Sequence, residues 1–202
     1  MQLVLATNNE DKIKEIRNLL DDLQVTILTK SDFLEFPDVE ETGSTLEENA
    51  LLKAKAVAKF CDLPAVADDT GLEVDALNGA PGVYSSRFAG ENASYADNVN
   101  KLIESLKDVS PDKRTARFRC VIAICWEDGS TETVEGVAEG FISEEAEGSS
   151  GFGYDPIFFY PPAGKRFSQM TMDEKNVVSH RGKALQEVRT VIMRRLNESA
   201  GR

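Results

Sequence analysis

The sequence predicts an α/β fold: a mixed central β-sheet flanked by helices, arranged as two lobes with a cleft between them. Three observations predict it. Short β-rich runs alternate with helical repeats over the first half of the chain, the pattern of parallel strands joined by helices. The second half instead carries two long β-rich runs, 115–126 and 131–142, separated by Glu127-Asp128-Gly129-Ser130. That is a hairpin signal, and it predicts an antiparallel addition that forms the second lobe. Finally, 41% hydrophobic and 29% charged residues in 202 positions supply one core of ordinary size. They exclude a disordered tail, a collagen-like fibre and a coiled coil. No repeat, low-complexity tract or linker breaks the chain, so residues 1–202 read as a single domain with two lobes.

Taken in order, Leu3-Val4-Leu5-Ala6 reads as a buried strand that stops at Thr7-Asn8-Asn9. Ile13, Ile16, Leu19, Leu20 and Leu23 then fall at helical spacing, with Asn8 or Asn9 as N-cap. A short strand follows over 25–28, and residues 38–44 are acidic and loop-like. Thr45-Leu46-Glu47-Glu48 is a capping box, opening a helix whose stripe is Leu46, Ala50, Val57 and Cys61. Pro64-Ala65-Val66-Ala67 is a third strand, which Asp68-Asp69-Thr70-Gly71 is expected to end. Residues 78–92 hold Gly79, Pro81, Gly82 and Gly90 and read as loop, and Ser94 caps a helix reaching about Leu106. After the hairpin, a Gly-rich loop over 148–153 leads to Tyr154-Asp155-Pro156 and a short strand over 157–159. A last helix begins near His180 and buries Leu185, Val188, Ile192 and Leu196.

Charge narrows the function. Lys and Arg total 23 against 35 Asp and Glu, a net charge of -12. So acidic a surface argues against broad binding to nucleic acid, which needs clustered cations. A small anion held by a few local cations and a metal ion stays open. The single histidine, His180, removes most zinc sites, so a bound metal would be Mg²⁺ or Mn²⁺ on carboxylates. Three cysteines without a CxxC spacing suit a reducing compartment. The N-terminal apolar run is too short for a signal peptide, and the longest apolar run, 120–126, is far short of a membrane span. A cytoplasmic protein with no membrane partner is expected.

In open α/β sheets, ligands bind beyond the carboxyl ends of the strands. Two polar clusters occupy such positions. Thr7-Asn8-Asn9 joins the first strand to the first helix, where N–H groups and the positive helix end favour phosphate, and Lys12 lies one turn in. A plain N-cap with a solvated lysine is the alternative, and no Gly-rich P-loop is present. Asp68-Asp69 closes the third strand; neighbouring residues there point opposite ways, so one carboxylate can face a ligand while the scaffold holds the other. It would bind Mg²⁺ or deprotonate a water, or be no more than a turn. Glu40 and Glu41 are further metal candidates or a solvated charge run, and Lys53 is either turned to the site or surface charge beside Lys55 and Lys59.

Later in the chain, Gly151-Phe152-Gly153-Tyr154-Asp155-Pro156 suits a flat heterocycle, with an aromatic stacking on the ring and backbone groups reading its edge; a tight turn with core aromatics is the alternative. Lys175, His180 and Arg181 sit at a helix start, against the helix dipole, so either a ligand with oxygen acceptors or surface pairing with Asp173 and Glu174 must favour them. Cys120 and Cys125 read as core residues. Lys113, Arg114, Arg117 and Arg119 read as a solvated or subunit-facing edge.

Together these segments resemble the inosine/xanthosine triphosphate pyrophosphatase family. The matching pieces are Leu5-Ala6-Thr7-Asn8-Asn9 through Lys12, Glu41-Thr42-Gly43 with Glu48-Asn49-Ala50, and Ala67-Asp68-Asp69-Thr70-Gly71. Gly79-Ala80-Pro81-Gly82-Val83-Tyr84-Ser85, Gly151-Phe152-Gly153-Tyr154-Asp155-Pro156 and Ser179-His180-Arg181-Gly182 complete them. Each is weak alone; in register along almost the whole chain they are specific. The family's first loop often has Gly where this chain has Asn8, and Asn tolerates unusual backbone angles.

The resemblance implies one ITPase-like domain, a homodimeric, Mg²⁺-dependent hydrolase cutting ITP, dITP and XTP to the monophosphate and pyrophosphate. Carried over by motif, Thr7, Asn8, Asn9, Glu10, Asp11 and Lys12 bind the triphosphate. Asp69 is the proton acceptor and a metal ligand, with Glu40 or its neighbour Glu41 as the second carboxylate. Thr70 touches substrate, and Phe152, Gly153, Tyr154, Asp155, Lys175, His180 and Arg181 form the nucleoside pocket. Two competing readings remain. One is a septum-inhibitor-like nucleotide pyrophosphatase acting on pyrimidine or modified nucleotides, and the other is a non-catalytic nucleotide sensor.

Overall fold

Strand and helix do alternate along the first part of the chain. In the computed structural model, which describes residues 1–148 and 150–200 and all their side chains but those of Leu19, Ser199 and Ala200, β1 (Gln2–Leu5) leads to α1 (Glu10–Leu20), β2 (Thr26–Leu28), α2 (Leu46–Cys61) and β3 (Ala65–Val74). β4 (Pro81–Gly82), α3 (Tyr95–Ser105), β5 (Thr115–Cys125) and β6 (Thr131–Ile142) follow. The chain ends with β7 (Phe158–Tyr160), β8 (Lys165–Arg166), α4 (Met172–Val178) and α5 (His180–Ala200). Among the described residues the sheet order is β2-β1-β3-β5-β6-β7-β8, with β4 beside β3. This is the mixed sheet of an α/β fold. No helix among the described residues is long and apolar enough to cross a membrane.

The chain divides into two units, and β3, β5 and β6 contribute residues to both. The first comprises residues 1–69, 120–136 and those from 181 onward. There β1 pairs in parallel with β2 (Gln2 with Thr26) and with β3 (Val4 with Ala65). Its core joins Leu3, Leu5 and Val66 of these strands to Ile13, Ile16 and Leu20 of α1, to alternate residues of β5, and to Leu185, Val188 and Ile192 of α5. The helical spacing of those apolar residues is what turns each helix face inward. The side chain of Leu19, expected on the α1 stripe, lies outside the described residues.

The second unit comprises residues 70–119 and 137–180. β4 pairs antiparallel with β3 (Leu72 with Gly82), and β6, β7 and β8 pair antiparallel in turn. Its core gathers Leu72, Val74, Leu102, Phe118, Phe158 and Phe167. The rings of Phe118 and Phe158 pack with centroids 4.7 Å apart, their planes tilted by 55°.

Most elements fall where the sequence puts them. Ser94 caps α3, Thr45 caps α2, and the β5–β6 turn closes through Trp126 N–H to Ser130 O at 2.9 Å. Two expectations are corrected: residues 78–92, read as loop, include the short strand β4, and Asp68-Asp69-Thr70-Gly71 does not end the third strand, because β3 runs on to Val74. The segment has turn chemistry, but burial of Leu72 and Val74 and pairing with β4 keep it extended. α4 was not anticipated; it is capped by Thr171, whose hydroxyl accepts the Glu174 N–H at 3.2 Å. Of the Gly-rich loop, Ser149 lies outside the described residues.

Candidate active site

The first unit gathers charge just past the carboxyl end of β1. Its neighbour β3 continues beyond that end and carries Asp68 and Asp69, both buried. The alternation of a strand sends the two carboxylates to different partners, as expected. Asp68 Oδ2 receives Lys12 Nζ at 2.9 Å and Arg181 Nε at 3.3 Å. Asp69 Oδ1 receives Lys53 Nζ at 3.0 Å, and its Oδ2 receives Asn49 Nδ2 at 3.3 Å.

The two carboxyls are shifted in opposite directions. Burial alone would raise Asp68, but the charges of Lys12, Arg181 and Lys53 outweigh it and keep its carboxyl well below the usual range. Burial raises Asp69 as well, and there Lys53 and Lys12 do not overcome it, with the Glu41 charge adding to the rise. A buried carboxylate with a raised pKa is the stronger base of the two, which suits proton acceptance.

The start of α1 is capped by protein. Asn9 Oδ1 accepts the N–H groups of Asp11 and Lys12 at 3.0 and 3.3 Å, and Thr7 Oγ1 accepts the Asn9 N–H at 3.2 Å. Of this segment, Asn8 and Glu10 are exposed, whereas Thr7, Asn9, Asp11 and Lys12 are half-buried. The one cation of the segment, Lys12, reaches Asp68 from the first turn of α1.

Lys53 belongs to this cluster, not to the surface with Lys55 and Lys59. Its ammonium also meets Glu41 Oε1 at 2.6 Å and the Asp68 carbonyl at 2.8 Å. Burial disfavours its charge, but Asp69, Asp68 and Glu41 together raise its pKa. Glu41 is therefore the carboxylate brought to Asp69 by a shared cation, while Glu40 is exposed. Among the described residues no three His, Cys, Asp or Glu side chains form a metal cage. Mg²⁺ needs none, because it binds through one or two carboxylates and completes its shell with phosphate and water. Two carboxylates already converging on one ammonium are a donor set of that kind.

Arg181 is fully buried rather than at the surface, and it pairs with Glu15 of α1 as well as Asp68. Glu15 and Asn49 are residues of this cluster to which the sequence assigned no role. The available signal for Glu15 was its place three residues after Lys12, on the same side of α1.

The second unit holds the other sequence candidates. Asp155 Oδ2 accepts Lys175 Nζ at 2.7 Å and the Phe152 N–H at 2.8 Å, and the Lys175 ammonium lies 4.7 Å from the Phe152 ring centre. Lys175 and Asp155 are buried and pair with each other, and Glu174, offered as a surface partner in the alternative reading, pairs with Lys165. His180 stacks on Phe118 at 4.5 Å. Tyr154 is buried, which pushes its phenol up, and its hydroxyl donates to the Ser85 carbonyl at 2.9 Å. Gly153 and Thr70 are half-buried. Phe152 is a half-buried ring beside this buried ion pair, with the Tyr95 ring tilted against it at 6.1 Å.

Of the expected basic edge, Lys113 is exposed and Arg117 and Arg119 are half-buried, and only Arg114 departs from it. Arg114 is buried and donates to the carbonyls of Val109 and Leu106, while Arg117 and Arg119 pair with Glu73.

A family model described as the Ham1 family matches residues 3–191. A protein of Desulforamulus reducens named dITP/XTP pyrophosphatase is 50% identical over 194 residues, 96% of this chain and 96% of that one. A protein of the same name from Shigella flexneri is 49% identical over 186 residues, 91% and 94% of the two chains. Among solved structures, a HAM1 protein from Coxiella burnetii matches with a TM-score of 0.89 at 44% identity, covering 96% of this chain and 99% of its own. A nucleoside-triphosphatase, also titled dITP/XTP pyrophosphatase, from Mycobacterium abscessus gives a TM-score of 0.77 at 38% identity over 93% and 98%.

Proposed function

The chain belongs to the Ham1 family, and on that premise we propose that it hydrolyses non-canonical purine nucleoside triphosphates, dITP and XTP among them, to the monophosphate and pyrophosphate. The observation that carries the reading is Asp69, buried with a raised pKa between Lys53 and Asn49, beside the cations Lys12 and Lys53. Relatives named for this activity, alike over nearly the whole chain, support it over a pyrimidine-directed enzyme or a sensor.

Each residue then has a task. Asp69 accepts a proton from water as the water oxygen attacks phosphorus. The bond to the bridging oxygen breaks and pyrophosphate leaves with that electron pair. Lys12 and the segment from Thr7 engage the phosphate chain, with Lys12 drawing on a carboxylate, Asp68, that stays ionised. Asp69 and Glu41 are the residues that would hold Mg²⁺, which when bound neutralises negative charge on the phosphate oxygens. Lys53 keeps those two carboxylates together. In the second unit, Phe152 stacks on the base, and the Lys175–Asp155 pair supplies polar groups to read its edge.

A 6-oxopurine presents an acceptor where adenine presents a donor. A donor aimed at that oxygen leaves the adenine amino group facing another donor, a mismatch worth about 10⁴ in selectivity or more. We also infer, from the family resemblance, a single catalytic domain acting as a homodimer and, from the cysteine usage and apolar runs of the sequence, a cytoplasmic location; light scattering tests the dimer. The test of function is pyrophosphate release from ITP, XTP, GTP and ATP with Mg²⁺. Fast release from ITP and XTP with little from ATP is expected. Equal rates on all four would overturn the reading.

A further inference from the structure

Asn49 lies one turn before Lys53 on α2, so the two side chains share a face of the helix. Both bridge the same two structures. Lys53 joins Glu41 to Asp69. Asn49 joins Gly43 to Asp69: its Oδ1 accepts the Gly43 N–H at 2.7 Å and its Nδ2 donates to Asp69 Oδ2 at 3.3 Å. The two oxygens of Asp69 are thus held by different donors, the ammonium on Oδ1 and the amide on Oδ2. A carboxylate turns easily about its last bond, because that torsion is broad. Two fixed donors set its plane, whereas Lys53 alone would hold one oxygen and leave the other to swing.

The amide has no freedom of its own. Asn49 is buried, 1% exposed, and with Oδ1 committed to the Gly43 N–H its Nδ2 must face the carboxylate. Gly43 has to be glycine for this approach, since a Cβ there would stand 2.6 Å from Asn49 Oδ1.

We propose that Asn49 is a positioning residue for hydrolysis: it fixes the plane of the Asp69 carboxylate and seats the loop that carries Glu41. This rests on the reading of Asp69 as proton acceptor. Asn49 need not touch substrate. It acts through the angle at which Asp69 meets the attacking water, and misplacement of a catalytic group by about 1 Å can cost up to about a hundredfold in rate.

Asn49→Asp keeps an acceptor for Gly43 and replaces the amide donor to Asp69 by a second carboxyl, so it is read beside Asn49→Ala, which adds no charge. Asn49→Ala removes both bonds. Turnover of ITP, thermal midpoint and amide exchange at Gly43 are measured on both variants, with Asp69→Asn alongside. The expected result is kcat lowered about tenfold or more in both variants with KM changed by less than about twofold. Gly43 should stay protected in Asn49→Asp and lose protection in Asn49→Ala. A folded Asn49→Asp with wild-type kcat would overturn the proposal and leave Asn49 a loop anchor. Should Asn49→Asp not fold, wild-type kcat in Asn49→Ala would overturn it equally. Wild-type kcat in Asp69→Asn would instead overturn the assignment of Asp69, and the role of Asn49 with it.

Discussion

The Lys12 ammonium lies 2.9 Å from Asp68 Oδ2, and the same oxygen receives Arg181 Nε. One buried carboxylate therefore neutralises two cations that reach it from α1 and α5. Replacing it by an amide removes the carboxylate that both cations share. Removing one member of a buried network of this kind costs about 3–5 kcal/mol. Asp68→Asn is expected to lower the unfolding free energy by that amount, read as a lower urea midpoint with the slope of the transition unchanged. A variant within about 0.5 kcal/mol of wild type would show that the network contributes nothing net.

The same carboxyl sets an acid limit. Its folded pKa lies below its unfolded one, near about 3.9, because the nearby cations outweigh burial. A depressed carboxylate contributes stability that is complete above the unfolded pKa and is lost as pH falls through the folded value. The stability gap between wild type and Asp68→Asn should be constant above about pH 5 and shrink below about pH 4. Chemical denaturation at a series of pH values measures it, and a gap that widens in acid would reverse the sign argued here.

How much of this the sequence makes legible depends on how local each cause is. The α2 helix is announced by its capping box, and its buried Leu46, Ala50 and Val57 by their spacing. Asn9 as cap of α1 is equally local. The end of the third strand is misread because Asp-Asp-Thr-Gly is good turn chemistry, and only the buried residues that follow and the pairing of β4 overrule it. Burial of Lys175 and Arg181 is invisible locally, since their partners stand 20 residues away at Asp155 and 166 away at Glu15. The choice between Glu40 and Glu41 is likewise a matter of which side chain meets Lys53, a contact across 12 residues.

Gly151 has φ +80°, and a Cβ there would stand 2.1 Å from Asp155 Oδ2. That oxygen is the one shared by Lys175 and the Phe152 N–H. Gly151→Ala should therefore displace Asp155 and tilt Phe152, raising KM for ITP by about tenfold, the factor that about 1.4 kcal/mol of lost binding gives. Steady-state kinetics on ITP and GTP check this; an unchanged KM would mean that the turn does not support the base pocket.

Chelation tests the donor set of Asp69 and Glu41. Two carboxylates beside the phosphate site repel a substrate carrying about four negative charges unless a cation intervenes. EDTA should abolish turnover, Mg²⁺ should restore it, and Glu41→Gln should raise the Mg²⁺ concentration needed more than Glu40→Gln does. Restoration curves measured for both variants decide between the two residues. The reverse order would move the metal to the exposed Glu40.

Lys175 and Asp155 distinguish binding from scaffolding. Both are buried, and 2.7 Å separates Nζ from Oδ2. Lys175→Met leaves an uncompensated carboxylate and should destabilise the protein by about 3 kcal/mol or more. Adding Asp155→Asn removes that stranded charge, and the new amide can still accept the Phe152 N–H, so the double variant should recover most of the lost stability. It cannot recover the cation. If Lys175 serves the base as well as the fold, the double variant regains its thermal midpoint while KM for ITP stays raised. If the pair is only a structural tie, KM returns together with stability. Measuring both quantities on the two single variants and the double one separates these outcomes, because one coupling is read from unfolding and the other from substrate binding.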